Sequence, residues 1–535
     1  MTATSEPLLP AQSLAPGARP TFYERWRVRL DTDPRVYRVW RVLAPLLVTL
    51  LAGILRFWNL AHPHAIVFDE TYYVKDAWSQ WHLGFPATWP ENADERFLAG
   101  DTDIFTANPS YVVHPPLGKW IIGLGMALFG ADSTFGWRVA VALFGTATVL
   151  LLYFVARALG GSIVYASVAA LFLAVDGLGI VLSRVAILDG ILTFFVVLGI
   201  LFVLYDRRRH HERLTAAIQA RAVDGVAPAW GPVFWNRPWL IAAGAALGAA
   251  TAVKWSGLYV IGAVGLYLVV DDALARRKAG IGYWPSDAAF RQGLATFVLF
   301  VPVSFVVYLA SWTGWLVTDG GYHRHAADAA PATGLWSWVP LPLQSLWIYH
   351  QAIYNSNVSL TSPHSYSSAA WQWPLLLRPT SMYYLGSATG ENGCLVGGNG
   401  CSEGITSIPN PLLWWAAVIA VVYLAWRCFA KRDGGDALVL TGIVATYVPW
   451  LLYPDRTIFQ FYTIVILPFM LLALTTLLRD LAQLRTQRGR PVGRWATVVF
   501  IAAVLIVSAW YYAVWTGIPV SYEFWFWHFN RDGWI

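Results

Sequence analysis

Long apolar runs recur from Leu43 to Tyr512, each close to the ~20 residues that carry a helix across a bilayer. This leaves few folds open. Within lipid, every backbone polar group must be satisfied inside the protein, so such runs become helices packed against one another. Only 13% of the 535 residues are charged and 57% are hydrophobic, a balance foreign to soluble chains of this size. The expected fold class is an all-α polytopic membrane protein. Candidate spans cover 43–60, 137–156, 163–181, 187–205, 238–254, 256–271, 292–312, 411–429, 436–453, 457–478 and 494–515, about eleven in all.

Basic clusters orient these spans. Arg25, Arg27, Arg29, Arg35, Arg38 and Arg41 precede the first, and Arg207, Arg208, Arg209 and Arg213 follow the fourth. Arg276, Arg277 and Lys278 follow the sixth, Lys431 and Arg432 the eighth, and Arg479, Arg485, Arg488 and Arg490 the tenth. All are assigned to the cytoplasm. The net charge of +6 therefore marks topology and not a nucleic-acid surface. Residues 1–42 read as a basic cytoplasmic tail before a signal-anchor helix, with no cleavable signal peptide, and 43–535 as the membrane domain. Two large outer loops follow, at 58–137 and 313–410. The apolar segment 117–131 is shorter than a span, and if it crossed, the tail and the Arg207–Arg209 cluster would face opposite sides. It is expected to lie at the interface or re-enter; the rival reading lets it span in place of a neighbour. Cys394 and Cys401 flank a Gly-rich polar stretch, where an outer location favours a disulfide over two free thiols.

On this topology the ionisable residues near span ends gather at one interface. They are Arg56, Asp69, Glu70, His114, Lys119, Arg138, Arg184, Asp189, Lys254, His364 and Arg456. Polar groups at membrane depth are costly and usually have a partner or a function. A transporter places them near the midplane, on broken helices. Asp69-Glu70 supplies carboxylates able to take a proton from an attacking hydroxyl, although such a pair also suits a helix N-terminus. In His114-Pro115-Pro116-Leu117-Gly118-Lys119 the prolines fix an extended entry, and the lysine falls in a first helical turn. Lys119 then reads as a cation beside a phosphate or as a snorkelling side chain. Arg138, Arg184 and Lys254 are further phosphate candidates, arginine best because its planar fork matches phosphate oxygens. Arg184 and Asp189 are also placed to pair with each other. Asp101-Thr102-Asp103, His62 with His64, and His323 with His325 are weak metal signals that no further ligand completes, so no metal site is expected. Gly-rich stretches lack a P-loop lysine, which argues against nucleotide binding.

Together these motifs resemble the protein O-mannosyltransferases. The resemblance is carried by Phe68-Asp69-Glu70, the His114–Lys119 run, Arg138, Ser183-Arg184 with Leu188-Asp189, and Lys254-Trp255-Ser256-Gly257-Leu258. The run Trp371-Gln372-Trp373-Pro374-Leu375-Leu376-Leu377-Arg378-Pro379 looks like the bacterial branch. So does a second outer loop too short for the β-trefoil domain of eukaryotic members. Trp414-Trp415 is followed by Ala416 and not Asp, unlike the acceptor motif of oligosaccharyltransferases.

The resemblance implies the GT-C glycosyltransferase fold and a polyprenyl-phosphate-mannose donor. It implies inverting transfer to Ser/Thr hydroxyls of secreted or membrane proteins at the outer face of a bacterial plasma membrane, with the translocon a candidate neighbour. Asp69 matches the family's catalytic carboxylate, and Glu70, Arg56 and Arg138 match positions tied to activity or donor binding. His114, Lys119, Arg184 and Lys254 join the donor set; Asp189, His364 and Arg456 are acceptor-side or secondary candidates. No cofactor and no nucleic-acid partner is expected. The alternatives are a GT-C transferase of another sugar, such as aminoarabinose, or onto a lipid acceptor, and a transporter or flippase.

Overall fold

A computed structural model describes residues 22–224, 226–529 and 533–534. The first 21 residues of the expected tail lie outside the described residues. The rest of that tail is helical: α1 (Phe22–Thr32) is followed by α2 (Pro34–Phe57), whose N-cap Asp33 accepts from the Arg35 and Val36 amides. Arg35, Arg38 and Arg41 therefore sit on the first turns of α2 itself.

The loop that follows, expected from sequence to be outer, carries α3 (Glu70–Leu83), the short α4 (Ala93–Leu98) and α5 (Leu117–Phe129). Next come α6 (Thr134–Gly160), α7 (Ile163–Val175), α8 (Gly177–Val181), α9 (Leu188–Arg221), α10 (Pro238–Val253) and α11 (Ser256–Lys278). A short α12 (Trp284–Ser286) continues through a π-helical turn into α13 (Gly293–Ser311). The second loop expected to be outer holds α14 (Thr313–Val317), α15 (Leu341–Val358) and strands β1 (Thr380–Ser387) and β2 (Cys401–Ser407). The chain closes with α16 (Pro411–Lys431), α17 (Gly434–Leu451), α18 (Leu467–Leu481), α19 (Val492–Thr516), strand β3 (Val520–Ser521) and α20 (Tyr522–His528).

Among the described residues, eight helices are long and apolar enough to cross a membrane: α2, α6, α9, α11, α12–α13, α16, α17 and α19. The three other expected spans are shorter or broken. Residues 163–181 divide into α7 and α8 at Asp176, whose carboxylate caps the Leu178 and Gly179 amides and accepts from Asn410. Residues 238–254 form α10, with Pro238 at its first position. Residues 457–478 are a 3₁₀ turn leading into α18. The most central span is α9, with 72% of its most apolar window buried against 22% for α2 and α19. It packs on α6 and α10.

α5 is only 13 residues, about 20 Å at 1.5 Å per residue, short of the ~30 Å hydrocarbon thickness. It lies against α3 and α6, and Gly136 of α6 meets the Gly130 carbonyl with no room for a side chain. The sheet is antiparallel in the order β1-β2-β3, with Tyr384 opposite Gly404 and Cys401 opposite Ser521. Cys394 and Cys401 are joined as a disulfide at its end. His62 ties the first outer loop to this sheet, meeting Glu403 at 3.2 Å and the Gly517 carbonyl at 2.7 Å.

An α5 that stays on the outer side keeps the exposed turn between α5 and α6 outside. Asp132→Cys, in a chain with Cys428→Ser, is expected to react with an impermeant thiol reagent on intact cells. Labelling only after permeabilisation would make α5 a span.

Candidate active site

Asp69 and Glu70 are adjacent, yet the chain uses them differently. Phe68 is held at φ 50°, a left-handed conformation uncommon for a large side chain. Its ring is gripped edge-on by Phe459, Phe461 and His364. The bend turns Asp69 toward a chamber-like cluster of polar side chains that includes Lys254 and Asp189, and Glu70 into the protein.

Glu70 is fully buried and accepts four hydrogen bonds: Arg138 Nε at 2.9 Å, Arg138 Nη2 at 2.9 Å, and the Val67 and Ala186 amides at 2.8 Å each. Arg138 directs its remaining N–H groups to the Pro63 carbonyl at 2.9 Å, Ala65 at 2.8 Å and Leu60 at 3.5 Å. The pair thus closes the first outer loop against α6 and the α8–α9 turn. Arg56 and Arg184 are engaged in the same way. Arg56 bonds Ser183 Oγ and the carbonyls of Ala52, Leu173 and Ala174, and Arg184 bonds those of Arg56, Trp58 and Asn59. The forks of these three arginines, expected from sequence to meet phosphate, are directed at backbone carbonyls, Ser183 Oγ and Glu70. Arg184 does not pair with Asp189, which takes Lys254 instead.

The Asp69 carboxylate accepts no protein hydrogen bond among the described residues. Burial raises its pKa to about 6, with Lys254 opposing the rise and Asp189 adding to it. Lys254 bonds both oxygens of Asp189 at 2.9 and 3.2 Å and lies 4.2 Å over the Tyr462 ring. His114 packs against Tyr73 with ring centres 6.1 Å apart. Its burial, and then Lys254, Lys119 and Arg456, hold the imidazole well below its ordinary pKa. Three cations therefore surround a neutral histidine. Lys119 faces Asp76 at 3.7 Å. Arg456 spends Nε and Nη2 on Asn357, at 2.7 and 3.0 Å, leaving Nη1 without a protein acceptor among the described residues. His364 is exposed at the rim beside Phe68.

The weak metal motifs do not converge. Asp101 pairs with Arg96, Asp103 accepts from Trp78, and His64 bonds the Leu98 carbonyl. Among the described residues no group of three or more His, Cys, Asp or Glu is arranged to hold a metal.

The comparisons with known proteins agree in one direction. The family model described as dolichyl-phosphate-mannose-protein mannosyltransferase matches residues 46–223. A second, the C-terminal four TMM region of protein-O-mannosyltransferase, matches 342–528. The polyprenol-phosphate-mannose–protein mannosyltransferase of Mycobacterium tuberculosis is 33% identical over 502 residues, covering 91% of this chain and 90% of the relative. The chain belongs to this family. The Corynebacterium glutamicum member is 30% identical, covering 92% of this chain and 91% of its own. Among solved structures, the Saccharomyces cerevisiae protein O-mannosyltransferase Pmt1–Pmt2 complex bound to the sugar donor matches with TM-score 0.65 at 16% identity. It covers 92% of each chain. The fold is the GT-C fold of a multi-pass membrane glycosyltransferase.

Seen in this mannosyltransferase, the chamber also holds Tyr73, Tyr462, Asp76 and Asn357, which sequence reasoning missed. Tyr73 follows Asp69 by four residues, so one helical turn brings both to one side of α3, and that spacing was readable. Tyr462 lies in a 3₁₀ turn and Asn357 near the end of α15, with no local pattern to mark either.

The Glu70–Arg138 pair generates a stability prediction. Removing one partner of a buried, fully bonded ion pair costs about 3–5 kcal/mol, chiefly by stranding the other charge. Glu70→Gln and Arg138→Ala are expected to lower the thermal unfolding temperature in detergent. Their double variant should lose far less than the sum. Additive losses would show that the two residues act separately.

Proposed function

We propose that this chain transfers mannose from a polyprenyl-phosphate-mannose donor to Ser/Thr hydroxyls of translocated proteins, with inversion, at the outer face of a bacterial plasma membrane. The observation that carries the reading is the Asp69 carboxylate: unbonded, its pKa raised into the range of a working base, and set beside Lys254, which with Lys119 and Arg456 also faces the neighbouring His114. The names of the bacterial relatives, which specify a polyprenol-phosphate-mannose donor and protein acceptors, support the substrate assignment.

Asp69 takes the acceptor proton as the hydroxyl oxygen bonds to the sugar C1. The C1–phosphate bond breaks on the opposite face, and its electron pair leaves with the polyprenyl phosphate. Arg456 Nη1 and the ammonium groups of Lys254 and Lys119 offset the charge growing on that phosphate. A phosphate so neutralised needs no strong general acid, and no metal or cofactor has a step in this route. Asp189 steers Lys254, and His114, uncharged, leaves the cations free to act on the donor. Glu70, Arg138, Arg56 and Arg184 act as positioning residues that hold the loop carrying Asp69.

Asp69→Asn keeps the shape of the side chain and removes its basicity. It is expected to abolish transfer of labelled mannose from the purified lipid donor to a Ser/Thr-rich peptide, with donor binding retained. Normal turnover in this variant would remove Asp69 from the reaction.

The pH profile gives a separate check. The reacting form of Asp69 is the carboxylate, so protonation as pH falls through about 6 is expected to cut kcat/KM tenfold per pH unit, with a plateau above. A profile flat between pH 5 and 7 would contradict the assignment. Arg456→Ala is expected to raise the KM for donor more than that for peptide, and equal effects on both would place Arg456 elsewhere.

A further inference from the structure

The second outer loop carries a surface that the proposed reaction does not use. From Pro331 to Pro363 the chain contains no Asp, Glu, Lys or Arg. Within it, Leu335, Trp336 and Trp338 stand 88%, 67% and 77% exposed. α15 continues the pattern. Its inner face packs Leu346, Tyr349 and Ile353 against Phe85, Trp312 and Trp315. Its outer face shows Trp347, Gln351, Tyr354 and Val358, one stripe at helical spacing. A soluble surface rarely leaves so many aromatic side chains together in the open.

The depth of this surface can be read from its attachments. His350, midway along α15, meets Tyr308 Oη at 2.5 Å, and Tyr308 lies in the last turn of α13. Trp255, immediately before α11, stacks on His350 at 5.5 Å and donates to the same Tyr308 hydroxyl at 3.0 Å. α15 is therefore pinned at the level where two spans end. On α13, Phe305 and Val306 are exposed one turn before Tyr308, so a candidate span carries an outward apolar face just below that level. Trp and Tyr are the residues that settle at the boundary between headgroups and acyl chains, and a helix without charged residues that shows Trp347 and Tyr354 beside Gln351 on its outer face suits a position in the membrane plane.

We propose that α15 and the preceding Leu335–Trp338 turn are seated in the bilayer leaflet on the side of Asp69, with lipid as the partner of their outer face. The seating reaches the active site through a short path. Asn357, near the C-terminal end of α15, holds Arg456 by two hydrogen bonds and also donates to the Val113 carbonyl, next to His114. One end of a lipid-seated helix therefore sets the position of a cation in the chamber.

Spin labels at Trp338→Cys and, separately, Trp347→Cys, in chains with Cys428→Ser and in lipid nanodiscs, test this directly. A label at Leu395→Cys, on the 91% exposed residue of the disulfide loop, serves as the aqueous reference. The expected result is more frequent collision with oxygen than with a water-soluble nickel chelate at 338 and 347, and the reverse at 395. Chelate access at 338 and 347 matching that at 395 would overturn the proposal. So would labels shielded from both reagents, since a protein partner or a second copy would then cover the face. The readout does not depend on transfer activity, so it stands apart from the outcome of the Asp69 experiments.

Discussion

The buried contact between Glu70 and Arg138 is the constraint on which the reaction centre depends. Glu70 joins the start of α3 to α6 and, through the Ala186 amide, to the turn before α9. Arg138 in turn gathers three carbonyls of the 60–65 segment. Without this closure the 60–65 segment would leave backbone carbonyls unsatisfied. The charge pair is sheltered enough for its electrostatics to be strong, and its full set of bonds offsets the cost of burying it.

The chamber next to it follows the opposite rule. Asp69, Lys254, Lys119 and Arg456 keep bonding capacity in reserve, and the fold maintains them by mutual attraction and by aromatic packing. Tyr462 beneath Lys254 supplies a surface that holds charge without consuming it, and Tyr73 packs against the uncharged His114. A site whose groups were all satisfied would be more stable and would have nothing left to offer a substrate.

Much of the fold was legible in the sequence because hydropathy reports directly on lipid exposure. The broken spans at 163–181 and 457–478 read as continuous, since Asp176 interrupts an apolar run without changing its average character. The site was legible in part. Asp69 and Glu70 look alike as a dipeptide, yet consecutive residues entering a helix point about 100° apart, so one faces the chamber and the other the protein. Arginines were the hardest to read. Arg56, Arg138 and Arg184 carry the chemistry expected of phosphate ligands, but the same fork suits loop carbonyls, and only tertiary geometry separates the two uses. Asn357 and Tyr462 reach the site from distant segments that no local pattern connects to it.

The β-sheet has a bearing on assembly. Its third strand, Val520–Ser521, lies near the end of the chain, and the neighbouring Gly517 carbonyl engages His62 in the first outer loop. The loop bearing Asp69 is thus made early in synthesis and meets these neighbours only after α19 has been made. A contact between segments 455 residues apart can form only once nearly all of the intervening helices exist, so the loop that carries Asp69 is fixed against the sheet late although it is made early.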